Sequence, residues 1–358
     1  MRILFITHRY HPHLGGIEYV VKSIAQRLSK LGHGVTILTG EPMIDKPSEE
    51  EINNVLVIRW PTLLFKEAYH IPKRRKELKL KIFELIKDID IIHIHNVHSV
   101  ITMYCLNKIK EKSIKKVLTP YYHGTGHTSI RKVLWTYWRL YIKGLVRKHV
   151  NIIHTVSKLE AKIIKKDFDI DAIVIENGVD EDIFNIRWKP EDYFMYSGRI
   201  EKYKNIHRLA NIVKILNIKY GYNYKLKIFG EGSFKPKLQK ILNQKGIEYE
   251  LLPSQPFNKY IDNLSRSCLF GLLSEKESYP QSINEANAIG VPVVVASSWG
   301  KNFSDRKRTL IVDLSRRDEV IASEVAKFLE KVNSEPKSIV PSWKEVIKIY
   351  LSKLYRPG

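Results

Sequence analysis

Cysteine is almost missing from this chain: Cys105 and Cys268 are the only two in 358 residues. No disulfide framework is expected from that content, and a reducing compartment fits it. Long apolar runs are missing too, since none reaches the roughly 20 residues a membrane-spanning helix needs. The opening MRILFIT reads at once as a strand, so no secretory leader is expected. Internal repeats and low-complexity tracts are also lacking. These absences point to a cytoplasmic protein, soluble or docked on the inner face of the cell membrane. Acidic residues are scarce: 38 Asp and Glu face 60 Lys and Arg, a formal net charge of +22. Such an excess implies an anionic partner, which could be a phosphorylated small molecule, a membrane surface or nucleic acid.

What is present is a steady alternation of strand and helix. Arg2 to Thr7 is an apolar run. Ile17, Val20, Val21, Ile24, Ala25, Leu28 and Leu31 then keep helical spacing, Gly32 stops the helix, and Val35 to Leu38 makes the next strand. Further strands are expected at Val55 to Arg59, Ile91 to His95, Lys116 to Pro120 and Ile152 to Thr155, with a helix over Lys73 to Lys87. A second series opens near Tyr193 and alternates through a helix over Ile206 to Tyr220, the strand KLKIFG and a helix over Gln281 to Ile289 to the strand VPVVVAS. Alternation of this kind argues α/β, doubly wound architecture in both halves. The Asn-Gly junction in IENGVDEDIF suits a hinge between them. The domains are placed at 1–180 and 190–335, with an amphipathic helix over 342–358.

Ligands of such sheets bind beyond the carboxyl ends of the strands, so the loops there decide function. In SEKESYPQSINEANAIGVPVVVAS the strand ends near Ser274, and Pro280 fits the first helical position. Ser278 or Tyr279 would lie near the N-cap. Unpaired N–H groups at that helix start suit sugar hydroxyls or phosphate. Glu277 lies in the loop and Glu285 inside the helix, able to face one ligand at different depths. In YSGRIEKYKN, Arg199 follows a strand and Lys204 comes five residues later, a planar fork and a point charge suited to a diphosphate. In HPHLGGIE, Gly15 and Gly16 precede the first helix and allow close backbone approach. Their spacing is not GxGxxG, which leaves a dinucleotide fingerprint unsupported.

These sites, in this order, resemble glycosyltransferase family 4, the retaining enzymes of GT-B fold. The likeness runs through GGIE, KLGHGVTILT, HIH, YYHG, TVSK, ENGVDEDIF, SGRIEKYKN, FGEGS and ESYPQSINEANAIGVPVV, nearly the whole chain. The resemblance implies two Rossmann-like domains facing a cleft, with the C-terminal helix crossing back to the first. It implies a hexosyltransferase drawing on a nucleotide-diphosphate sugar. By the same likeness, Arg199 and Lys204 hold the leaving diphosphate, Glu285 binds ribose, and Glu277 contacts the donor sugar. Backbone around Ser278, Tyr279, Pro280 and Gln281 touches that sugar, His123 lies beside it, and Gly15 and Gly16 approach the diphosphate. No metal or other cofactor is expected. Asn205, Tyr279-Pro280 and SSWGKN depart from the family pattern, where glycine, Phe-Gly and paired glycines are common.

Between Glu111 and Glu160 no acidic residue occurs, while Lys and Arg occur ten times. Within that stretch RKVLWTYWRLYIKGLVRKH joins Trp135, Tyr137, Trp138 and Tyr141 to cations, and KRRKELKLKIFELIK is a second basic amphipathic segment. Both suit an anionic lipid surface, and the family often uses lipid-linked acceptors. The expected acceptor is therefore a lipid-linked or saccharide molecule, within glycan biosynthesis. No helix-turn-helix, zinc finger or RNP motif supports a nucleic-acid partner. A nucleotide-sugar epimerase shares the fold and stands as the alternative activity. The histidines His8, His11, His13, His93, His95 and His98 occupy loops and strand ends rather than one helix face, so no metal site is expected of them.

Overall fold

A computed structural model describes residues 1–13, 15–65, 69–122, 124, 129–332 and 336–356; of 65 and 129–135 it describes the backbone alone. The chain divides into two compact units, Met1–Asn177 with Trp343–Gly358, and Gly178–Ser342.

The first unit is built on a sheet of β1 (Arg2–Thr7), β2 (Gly34–Glu41), β3 (Ser48–Ile52), β4 (Val55–Phe65), β5 (Tyr69–Pro72), β6 (Ile91–His95), β7 (Lys115–Thr119), β8 (Ile152–Thr155) and β9 (Ile173–Val174). Its order is β3-β4-β2-β1-β6-β7-β8-β9, with β5 on β4. Pairing is parallel except at β3 and β5, which run antiparallel to β4. Ile3 and Phe5 enter one core and Leu4 and Ile6 the other, so β1 is apolar at every position because both of its faces are covered. Strand β4 runs on past Arg59 to Phe65, longer than its apolar pattern suggests. Strand β3, SEEEI, was missed because its exposed glutamates give no alternation; charge of this kind blunts a sheet edge.

The returning C-terminal segment is not one regular helix. Trp343–Ile349 is α-helical and Tyr350–Leu354 widens into a π turn. Trp343, Val346, Ile347, Tyr350 and Leu354 are all buried against Val20, Ile24 and Ile37. A chain of hydrogen bonds runs beneath them. The Ile175 carbonyl can only accept, so His154 Nε2 donates to it at 2.9 Å and His154 Nδ1 accepts from the Thr119 hydroxyl at 2.8 Å. Thr119 in turn accepts from His93 Nε2 at 2.7 Å, and His93 Nδ1 accepts from the Tyr355 hydroxyl at 2.6 Å. Each histidine is thereby held as a neutral tautomer.

The second unit carries β10 (Glu191–Ser197), β11 (Lys225–Phe229), β12 (Tyr249–Leu252), β13 (Ser267–Leu272), β14 (Val293–Ala296) and β15 (Thr309–Val312), all parallel, in the order β12-β11-β10-β13-β14-β15. The chain starts at β10, builds outward to β12, then returns to β13 and builds the other way. Loops leaving β10 and β13 therefore diverge, and a crevice opens at that switch point. No described helix is long and apolar enough to cross a membrane.

Candidate active site

The loops on either side of this switch point carry the cations and one of the two acids singled out from sequence. The β10 loop holds Gly198, Arg199 and Lys204; the β13 loop holds Ser274 to Pro280. Lys204 Nζ forms an ion pair with the Glu277 carboxylate, and both side chains are largely buried, 11% and 17% exposed. The loops are also joined through their backbones, the Glu275 N–H donating to the Tyr203 carbonyl at 2.9 Å. Arg199 is exposed, its guanidinium donating to the Tyr203 hydroxyl at 3.3 Å. One exposed cation and one clamped cation thus share a loop.

Asn205 ends the Lys202–Lys204 turn with φ 54°, a left-handed conformation open to glycine and, among other residues, chiefly to asparagine. This explains the departure from glycine here. Asn205 also adds what glycine lacks, a side-chain amide donating to the Leu273 carbonyl at 3.1 Å across the switch point. The β10 loop is braced from its other side by FGEGS. The Ile200 N–H donates to the Glu231 carbonyl at 2.8 Å, and the Phe234 N–H to the Ile200 carbonyl at 3.0 Å. A Cβ at Gly230, where φ is +142°, would lie 2.0 Å from the Gly198 carbonyl oxygen. Only glycine permits that approach.

The helix after β13 spans Gln281–Ile289 with Pro280 as its N-cap, so Pro280 stands one position earlier than its expected place inside the first turn. Its φ of −65° is the value the ring imposes, and its ψ of 120° is the extended setting of an N-cap rather than of a helical residue. Ser278 is half-buried, and Tyr279 is buried, stacked on Phe303 with its hydroxyl donating to Asn284 at 3.2 Å. The Gln281 amide donates to the Gly178 carbonyl at 2.6 Å. Glu285 is buried and accepts from the Tyr260 hydroxyl at 2.8 Å. Burial pushes its acid up to about 7, the Asp180 carboxylate pushes the same way, and the Tyr260 hydrogen bond pulls back. SSWGKN is a clamp: Trp299 Nε1 donates to the Ser274 carbonyl at 2.7 Å and Ser298 to the Glu275 carbonyl at 2.8 Å. Tyr260 went unremarked in the sequence, and Trp299 and Gly230, although within the quoted SSWGKN and FGEGS, had no role there, because their roles depend on partners distant along the chain.

In the first unit, Gly15 is the N-cap of the helix Gly16–Lys30, so Gly16 is its first residue rather than a loop position. A Cβ on Gly15 would strike the Glu18 carboxylate, while one on Gly16 would meet open space. His123 lies outside the described residues. Its neighbour Tyr122 donates its N–H to the buried Glu160 carboxylate at 2.7 Å. Among the described residues no three His, Cys, Asp or Glu side chains converge as metal ligands.

The Glycosyltransferase Family 4 model matches residues 14–183, and the Glycosyl transferases group 1 model matches residues 179–345. The chain is 25% identical over 287 residues to an uncharacterized glycosyltransferase of Haemophilus influenzae, covering 78% of this chain and 76% of that one. It is 26% identical to the alpha-monoglucosyldiacylglycerol synthase of Acholeplasma laidlawii, covering 68% and 67%. The structure of Anabaena HepE in complex with UDP and glucose superposes with a TM-score of 0.72 at 14% identity, over 99% of each chain. The chain belongs to glycosyltransferase family 4 and has the GT-B fold.

Proposed function

We propose that this enzyme takes a sugar from a nucleotide-diphosphate donor and passes it, with retention at the anomeric carbon, to a lipid-linked or saccharide acceptor of cell-surface glycan synthesis. The observation that carries the reading is the meeting of Lys204 with Glu277 at the β10–β13 switch point, beside Arg199. Breaking a glycosyl phosphate bond leaves negative charge on the diphosphate and positive charge on the sugar ring. Arg199 and Lys204 offset the former without a metal. Glu277 accepts from donor-sugar hydroxyls and, in the free enzyme, keeps Lys204 in place until a phosphate competes for it. Glu285 takes the ribose hydroxyls, its carboxylate aimed by Tyr260. Backbone N–H groups at Ser278, Tyr279 and Gln281 are offered to the sugar.

The Acholeplasma relative carries a diacylglycerol in its name, and HepE was solved with UDP and glucose; both agree with a lipid acceptor and a uridine donor. On the helix Ser129–His149, Tyr137, Leu140 and Tyr141 are exposed while Ile142, Leu145 and Val146 are buried. Trp138 faces inward, its Nε1 donating to the Val97 carbonyl at 3.0 Å. An exposed aromatic and leucine ridge beside Lys143, Arg147 and Lys148 suits peripheral docking on anionic lipid.

A thermal-shift screen against UDP-, GDP- and ADP-sugars tests the reading, since a ligand of the native state raises its melting point. One nucleotide class should stabilise the protein, and Arg199→Ala and Glu277→Ala should each abolish transfer while the chain stays folded. Full transfer activity in either variant removes the assignment.

A further inference from the structure

The first unit has its own switch point, between β1 and β6, and a cation with no ion-pair partner among the described residues sits there. Arg9 follows β1, and its neighbour His8 contacts Asn96, which follows β6, at 3.3 Å. Arg9 is half-buried, and its Nε donates to His70 Nε2 at 3.0 Å. Arginine cannot accept, so His70 Nε2 carries the lone pair and its Nδ1–H donates to the Thr62 hydroxyl at 3.1 Å. The imidazole is therefore neutral, and burial together with the Arg9 charge holds it so, at about 4. His8, packed edge-on against His70, is held neutral by burial first and by His70 and Arg9 after it.

The neighbouring carboxylates are engaged elsewhere. Glu41 accepts from His13 at 2.7 Å and lies 3.6 Å from Arg59; Glu18 lies 3.6 Å from His8. Among the described residues none forms an ion pair with Arg9. Arg9 is half-buried against two neutral rings, and the carboxylates that reach the cluster, Glu41 and Glu18, lie against His13 and Arg59 and against His8. The cluster is also shaped for this arrangement. A Cβ at Gly40 would lie 2.8 Å from the His8 carbonyl oxygen and 3.2 Å from His70 Nδ1, so β2 must carry glycine for the two histidines to fit. With Nε anchored on His70, the two terminal amino groups of Arg9 remain for a bidentate anion.

We propose that Arg9 is the anion-binding residue of an acceptor subsite at the β1–β6 switch point, so that the acceptor carries a phosphate or carboxylate group. The proposal rests on the glycosyl-transfer reading. Its selectivity follows from geometry: a neutral acceptor leaves the guanidinium fork half-buried and unpaired.

The test uses the full chain without donor. Inorganic phosphate and malonate are titrated separately while the ring C–H resonances of His8 and His70 are followed by NMR. One anion or both should shift these resonances saturably, and which one does separates a phosphate-bearing from a carboxylate-bearing acceptor. Arg9→Gln should weaken that response at least about tenfold, and Arg9→Lys should retain part of it as a point charge without the fork. A response equal in wild type and Arg9→Gln, or none up to about 50 mM of either anion, overturns the proposal. Nucleotide-sugar thermal shifts run in parallel keep the two readings apart. Donor stabilisation without an anion response sinks the subsite alone, whereas no donor stabilisation sinks the nucleotide-sugar reading on which the subsite rests.

Discussion

Tyr260, on the helix Phe257–Arg266, donates its hydroxyl to Glu285, on the helix Gln281–Ile289, and so fixes the direction of a buried carboxylate poised near neutrality. A group with an ordinary carboxylate acidity would be ionised throughout the physiological range. This one changes state within it, and the ionised form, with two acceptor oxygens and a full charge, is the stronger acceptor for the ribose hydroxyls we assign to it.

Donor affinity should therefore rise as pH is raised through about 7. Tyr260→Phe removes a hydrogen bond that favours the ionised form. The inflection should move to higher pH, and donor KM at neutral pH should rise about tenfold, about 1.4 kcal/mol, with kcat little altered. Donor titrations across the pH range in both proteins check this; an unmoved inflection would show that Glu285 does not meet the donor.

Gly230→Ala should be severe because its Cβ would lie 2.0 Å from the Gly198 carbonyl, on backbone at φ +142°. We expect a loss of about 3 kcal/mol with impaired donor binding, since the loop displaced is the one bearing Arg199. Gly246→Ala is the control. It has φ +57° but open space around it, and about 1 kcal/mol should go without effect on donor binding. Urea unfolding and donor titration of both variants measure the difference.

Acid should destabilise the first unit. Burial lowers His8 and His95 to about 3 and His70 and His154 to about 4, and holds His93 well below its usual value. The unfolded chain binds protons at these sites near pH 6.5 while the folded chain refuses them. Their contribution is therefore present above that pH and lost as pH falls, each by up to about 1.4 kcal/mol per unit. Glu160 works the other way: burial raises it to about 7, so its proton is kept on folding and favours the native state at lower pH. One such group against five leaves acid the loser. Melting temperature should drop steeply between pH 6.5 and 5, by an amount His154→Gln reduces; a flat profile would contradict the neutral relay.

If the exposed ridge on the helix Ser129–His149 meets lipid, the protein should sediment with anionic vesicles at low salt and be released by high salt. Tyr137→Ser with Leu140→Ser should weaken binding at both salt levels, since these side chains are 72% and 61% exposed and their loss costs the fold little. Equal recovery on neutral and anionic vesicles, insensitive to salt, would remove the electrostatic part of the docking proposal.

Much of this architecture can be read from residue order alone. Strands buried on both faces announce themselves as unbroken apolar runs, which is why β1, β6, β8 and the helix Gln281–Ile289 fall within a residue of their expected bounds. Arg199, Lys204 and Glu277 stood out because they are charged residues in short motifs at strand ends, and the fold brings Lys204 and Glu277 into contact. Local pattern failed where the partner is remote. The glutamates of β3 carry no apolar period, Trp299 looks like an ordinary core residue until it is seen donating to Ser274, and Arg9 is unremarkable until His70, 61 residues away, is found beside it. Asn205 is the instructive middle case: its departure from glycine was visible, while the reason needed both a backbone angle and the Leu273 carbonyl.

The return of Trp343–Leu354 into the first unit has a consequence for biosynthesis. A ribosome releases residues 1–177 long before Trp343, Tyr350 and Tyr355, whose rings close one face of that unit and cap His93. Until residues 343–355 have been made, the nascent first unit waits with an apolar groove and an uncapped imidazole exposed, while the intervening unit, continuous in the chain, can mature ahead of it. The part made first is thus the last to be finished.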